Sequence, residues 1–376
     1  VTAQQRWDVF CRVVDHFGDV GVSWRLARQL AAEHPVKVRL WVDDLHTFHR
    51  IEAAVDPSVP VQAVGGVEVQ RWDDLAEFSA PAEVVIEAFG SRVPAAYLDA
   101  MAAQPRAPVW INLEYLSAES WVEGCHGVAS PHPTLPLVKH FFFPGFTAAT
   151  GGLLRERHLE SRRVAELAQR PARVGEVCTV SLFGYGGPAV GGLLGTWAHG
   201  NQPMLALVPE SRLLADVASF LGRDALGPGD REQRGALTVL VLPFQDQDGY
   251  DRLLWRCDCN FVRGEDSFMR AQWARRPLVW NIYAQEGGAH WAKLHAFQTR
   301  YSETLDEETA AALREFWRLW NLSSPSPTAL ATGWHRFWAC REALALHAER
   351  WAAALQAQQA QTDLTTNLVT FARERL

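Results

Sequence analysis

One rhythm constrains this chain more than any other feature, and it occurs twice. Short apolar runs of strand length at residues 7–14, 36–42, 67–72, 83–89 and 108–115 alternate with stretches of helical spacing. Parallel strands need long crossover connections, usually helical, so the alternation predicts an α/β fold with a parallel sheet. Between the first two runs, Val22, Leu26 and Leu30 recur every four residues, the stripe of a helix over residues 21–33 packed on a sheet. The rhythm restarts with runs at 177–183, 203–208, 237–244, 258–262 and 277–283.

A length of 376 residues exceeds what one hydrophobic core usually supports. The Pro-, Phe- and Gly-rich residues 130–150 and the charged, helix-like residues 155–173 separate the two α/β stretches. Two domains follow, residues 1–155 and 175–355. The Ala- and Gln-rich tail from 334 to 376 reads as helical, with about residues 360–376 packing back on the first domain. Open parallel sheets bind ligands at the carboxyl ends of their strands, so two of them suit two substrates, with a cleft between.

Charged residues make up 21% of the chain and hydrophobic ones 48%, a folded rather than a disordered composition. The net charge of −7 provides no basic footprint for nucleic acid and suits a basic partner better. No apolar run has the length of a membrane span, and the first six residues lack a signal-peptide pattern, so the expected location is the cytoplasm. The six cysteines include one close pair, Cys257 and Cys259, without the further ligands of a zinc set, and read as reduced structural thiols. The sixteen tryptophans are read as core fillers more than as stacking platforms.

Four stretches carry chemistry. Val13-Val14-Asp15-His16-Phe17-Gly18-Asp19-Val20-Gly21 lies between the first strand and the first helix, where Asp15 and Asp19 bring two carboxylates onto one loop formed by Phe17, Gly18 and Gly21. Carboxylates there repel a pyrophosphate and favour a cation or an activated nucleophile. The competing reading has Asp19 capping a helix that begins near Val20. Asn260-Phe261-Val262-Arg263-Gly264-Glu265-Asp266-Ser267-Phe268 runs from a strand into a helix start, an anion site with Arg263 as a fixed charge, or an ordinary capped helix. Ser181-Leu182-Phe183-Gly184-Tyr185-Gly186-Gly187 sets aromatics beside a flexible turn, as base stacking requires. Residues 242–251 bring Gln247 and Tyr250 to the start of another helix.

Together with Trp7-Asp8-Val9-Phe10-Cys11, Trp24-Arg25-Leu26-Ala27-Arg28-Gln29-Leu30, Leu40-Trp41-Val42-Asp43-Asp44-Leu45 and Arg270-Ala271-Gln272-Trp273, these stretches resemble the EarP family of protein-arginine rhamnosyltransferases over nearly the whole chain. The resemblance implies a GT-B fold, two Rossmann-like domains facing across a cleft, with an N-terminal acceptor domain and a C-terminal domain for dTDP-β-L-rhamnose. It implies inverting transfer of rhamnose to one arginine of elongation factor P, supporting polyproline translation, with no metal and no cofactor beyond the donor. Asp19 then matches the general base, Asp15 its neighbouring carboxylate and Glu265 the other catalytic acidic residue. Phe183, Tyr185, Gln247, Tyr250, Arg263, Asp266 and Ser267 match donor contacts. His16, Gly184, Asn281 and Ala284 depart from the residues usual in that family, Asn, Cys, His and Pro. The alternatives are another nucleotide-sugar enzyme, such as an epimerase, or a non-catalytic protein that binds elongation factor P.

Overall fold

Strand β1 (Gln5–Cys11) stands at the centre of the first sheet, flanked by β2 (Val36–Val42) on one side and β5 (Val84–Ala88) on the other. This is a computed structural model that describes residues 4–14, 17–73, 78, 80–169 and 177–376. The chain divides into two units, Val1–Arg157 with Leu355–Leu376, and His158–Ala354.

In unit 1 the sheet runs β3-β4-β2-β1-β5-β6-β8-β7, where β3 is Val61–Val64, β4 Val67–Arg71, β6 Val109–Leu113, β7 Ala129–Pro131 and β8 Val138–Phe142. Its interior pairs are parallel, and only the edge pairs β3–β4 and β7–β8 are antiparallel. Helices α1 (Phe17–Glu33), α2 (Leu45–Ile51), α3 (Ala95–Ala102) and α4 (Trp121–Cys125) connect the strands. Aromatic packing fills one layer, with Phe10 stacked on Trp41 at 5.5 Å and edge-on to Tyr97 at 4.8 Å.

Unit 2 opens on α5 (Leu159–Ala168) and holds a second sheet in the order β11-β12-β10-β9-β13-β14. Its strands are β9 (Cys178–Leu182), β10 (Met204–Pro209), β11 (Arg231–Arg234), β12 (Leu237–Leu242), β13 (Cys259–Arg263) and β14 (Leu278–Asn281), parallel except for β11. Between them lie α6 (Pro188–Ala198), α7 (Leu214–Leu221), α8 (Gln247–Arg256) and α9 (Asp266–Trp273). Beyond β14 come α10 (Ala289–Ser302), α11 (Glu307–Trp320), α12 (Pro327–Ala339) and α13 (Arg341–Gln358). Phe261 is packed by Trp320, Trp197 and Trp334, so tryptophan here fills core. The last helix, α14 (Leu364–Arg373), belongs to unit 1, where Asp363 accepts from the Gln29 amide at 3.1 Å.

Each unit buries a forked ion pair. Arg39 grips Asp8 through Nε at 2.5 Å and Nη2 at 2.6 Å, and the Tyr97 hydroxyl donates to the same carboxylate. Arg270 grips Asp251 at 2.9 and 2.6 Å, linking α9 to α8. Truncating one partner of such a pair strands a buried charge, at a cost of about 3–5 kcal/mol.

Two expectations are corrected. β1 ends at Cys11 rather than at residue 14, because the next amides leave the sheet: Val13 N–H donates to Asp43 Oδ1 at 2.9 Å and Val14 N–H to Asp19 Oδ2 at 3.0 Å. The first helix starts at Phe17, so Phe17, Gly18 and Gly21 are helical residues and not loop formers, and neither glycine has a positive φ. Asp15 and His16, read as part of the acidic loop, lie outside the described residues, as do residues 170–173 of the charged stretch. Among the described residues no helix is long and apolar enough to cross a membrane, and the six cysteines are free of disulfides.

Candidate active site

In unit 1 the sheet order reverses at β1, which lies between β2 and β5; such a point opens a crevice at the carboxyl ends of the strands. Asp19, in the first turn of α1, is 2% exposed there. Besides the Val14 amide on Oδ2, its Oδ1 accepts from the Tyr115 hydroxyl at 3.1 Å, so both oxygens are held. Tyr115 follows β6 and stacks on Phe89, which follows β5, with centroids 4.6 Å apart. Phe89 has a φ of 56°, rare for an aromatic residue, and its N–H donates to Leu113 O at 2.7 Å. Asp43, just past β2, is held above the usual carboxylate range by burial, against the pull of the Val13 amide. Burial also pushes the Cys11 thiol far up, which leaves it protonated and no nucleophile.

In unit 2 the corresponding reversal falls at β9, between β10 and β13. The Arg263 guanidinium, at the end of β13, lies 4.5 Å from the Phe183 ring centre and 4.8 Å from that of Tyr185, both just past β9. Phe183 packs on Tyr250 at 5.5 Å. Among the described residues the buried Tyr250 hydroxyl has no partner in bonding geometry. Desolvation drives its pKa up, while nearby Ser267 and Arg263 oppose that rise. Gln247 and Tyr250 lie three residues apart on α8, whose start Asp246 caps by accepting from Gly249 N–H at 2.6 Å.

Glu265 holds the N-cap position of α9 without making a side-chain cap. Its carboxylate pairs instead with the Lys293 ammonium on α10 at 2.5 Å. Asp266 is the first residue of the helix, and Ser267 Oγ turns back to Arg263, accepting from its N–H at 3.0 Å and donating to its carbonyl. Beside this, Tyr185 N–H donates to Asn281 Oδ1 at 2.9 Å, and Asn321 fixes Asn281 by accepting from its amide at 3.2 Å. A Cβ added at Gly184 would meet Asn281 Oδ1 and Leu213 Cδ1 at 3.1 Å. Two of the departures from the resembled family, Gly184 and Asn281, thus lie against each other, the small residue making room for the amide. Nothing in the structure accounts for Ala284. Among the described residues no three His, Cys, Asp or Glu side chains group as a metal site.

The sequence pattern described as "Elongation-Factor P (EF-P) rhamnosyltransferase EarP" matches residues 7–373. The chain belongs to the EarP family. A protein-arginine rhamnosyltransferase of Pseudomonas putida is 49% identical over 381 residues, spanning 98% of this chain and 99% of its own. A solved structure described as the basis for EarP-mediated arginine glycosylation of translation elongation factor EF-P has a TM-score of 0.69 at 36% identity. It covers 99% of this chain and all of that one. MurG of Acinetobacter baumannii, only 12% identical, still reaches a TM-score of 0.53 over 99% of this chain and 100% of its own. Two parallel-rich sheets and these neighbours make the EarP chain a glycosyltransferase with the GT-B fold.

Of the residues singled out in this EarP sequence, the structure gathers Phe183, Tyr185, Tyr250, Arg263 and Ser267 into one contact set, with Gln247, Glu265 and Asp266 on the helix starts beside it. Asp19 stands in the other unit. Tyr115, Lys293 and Asn321 escape sequence reasoning, because each meets its partner from 28 to 96 positions away and none sits in a recognisable motif. Asp43 had a signal, two adjacent aspartates closing a strand.

Proposed function

We propose that this enzyme transfers L-rhamnose from dTDP-β-L-rhamnose to an arginine nitrogen of elongation factor P, with inversion at the anomeric carbon. One observation carries this reading. The carboxyl edge of one sheet presents buried carboxylate and that of the other a guanidinium between aromatic rings, as a cationic acceptor and an anionic, base-bearing donor require.

Arginine resists this chemistry, since its guanidinium stays protonated up to a pKa above about 12. A carboxylate with a pKa near about 4 does not deprotonate it in advance. Asp19, with Asp15 as a second carboxylate, instead holds the guanidinium by charge-assisted hydrogen bonds. As the nitrogen attacks, the new C–N bond makes it acidic and Asp19 takes the proton. The bond from the anomeric carbon to the diphosphate oxygen breaks on the opposite face, and dTDP leaves with the electron pair. Phe183, Tyr185 and Tyr250 receive the base and ribose, with Gln247. Arg263 and the start of α9, through Asp266 and Ser267, receive the diphosphate and balance its growing charge without a metal. Glu265 binds hydroxyls of the rhamnosyl group, the part of the donor that dTDP lacks. An acceptor that serves translation puts the enzyme in the cytoplasm.

The test is intact-mass analysis of elongation factor P incubated with this protein and dTDP-rhamnose. One deoxyhexose on one arginine is expected. An unchanged mass overturns the reading, and donor turnover without the acceptor points to a different nucleotide-sugar reaction.

A further inference from the structure

Glu265 poses a problem for any anion at the start of α9. A carboxylate at a helix N-terminus is drawn to the free leading amides, and there it competes with a diphosphate for the same donors. In this structure Glu265 occupies that very position and yet caps nothing. Its side chain is turned onto Lys293, from a different helix, and the two groups are 16% and 18% exposed, so the pair is shielded from water on most sides. Lys293 itself is delivered by α10, whose entry is fixed by Gly287 and Gly288, both with positive φ, and by Gln285 N–H donating to His290 Nδ1 at 3.1 Å.

We propose that Lys293 is a positioning residue for donor binding: its ammonium draws the Glu265 carboxylate off the leading amides of α9 and neutralises it, which keeps that anion site open for a nucleoside diphosphate. This rests on the donor site proposed above. Lys293 acts through Glu265 and not on the phosphates. Freed of Lys293, Glu265 swings onto α9 and caps it, an internal anion in place of the ligand.

The experiment is titration of the full-length protein with dTDP, followed by calorimetry, for wild type, Lys293→Met, Lys293→Arg, Glu265→Gln and the double variant Lys293→Met with Glu265→Gln. Lys293→Met is expected to weaken dTDP about tenfold, Lys293→Arg to stay near wild type, and Glu265→Gln to bind at least as well as wild type. The double variant is expected to regain the affinity that Lys293→Met loses, a rescue that damage to folding does not produce. An equal loss from Lys293→Met in both Glu265 backgrounds makes Lys293 a direct phosphate ligand and overturns the proposal. So does the absence of any loss. Wild-type protein that binds no dTDP overturns the donor site and this inference with it, whereas wild-type binding without the rescue overturns the inference alone.

Discussion

The carboxyl edges of the two sheets share a topology and differ in charge. In unit 1 the reversal point at β1 gathers Asp19 and Asp43, whose oxygens are tied to the backbone at Val13 and Val14. In unit 2 the reversal point at β9 gathers Arg263 between two aromatic rings, with the Glu265 carboxylate turned onto a lysine. A crevice at a reversal point is a property of the fold, and what it binds is decided by the few side chains that the turns after each strand supply. Here the same architecture presents carboxylates at one edge and a guanidinium at the other.

That contrast breaks most sharply at Asp19. Asp19→Asn keeps the shape but removes the proposed base, and turnover is expected to fall about a thousandfold while dTDP affinity holds; lost dTDP affinity would mean that the two edges are not functionally separate. Arg263→Ala, its counterpart, is expected to raise the donor KM about ten- to a hundredfold, read by dTDP release at varied donor, with the acceptor KM little changed. A smaller effect belongs to Tyr115→Phe, which removes one hydrogen bond to Asp19 and should lower kcat about two- to tenfold with donor binding intact. The smallest is a null result. Treatment with EDTA is expected to leave turnover unchanged, since in the proposed mechanism Arg263 and α9 supply the positive charge; activity lost to EDTA and restored by a divalent ion would displace Arg263 from that role.

Most of the architecture was legible because buried parallel strands are continuous apolar runs, and β2, β4, β6, β9, β12 and β13 fall within a residue or two of the expected runs. The strands that escaped, β3, β7, β8 and β11, pair antiparallel or lie near a sheet edge; Arg231–Arg234 has no apolar residue at all. The start of α1 was misplaced because Gly18 and Gly21 read as loop residues, although nothing prevents glycine from adopting helical angles when neighbouring residues pack. Within the site, strand ends and helix starts marked Asp19, Phe183 and Arg263, since those positions are local in sequence. Pairings such as Tyr115 with Asp19, or Lys293 with Glu265, depend on how elements pack, and no spacing rule reaches across that distance.

The placement of α14 has a consequence for how the protein is made. Unit 2 is one uninterrupted stretch, but unit 1 lacks Leu355–Leu376 until after the whole of unit 2 has been synthesised. Helix α1, which carries Asp19, is tied to that last segment by Gln29 with Asp363 and by His34 with Thr365 at 3.1 Å. Domains commonly fold in the order in which they emerge. In this chain the order is inverted: unit 1 starts to emerge before unit 2 but is completed after it, and the carboxylate assigned as base acquires its full support only once unit 2 is already made.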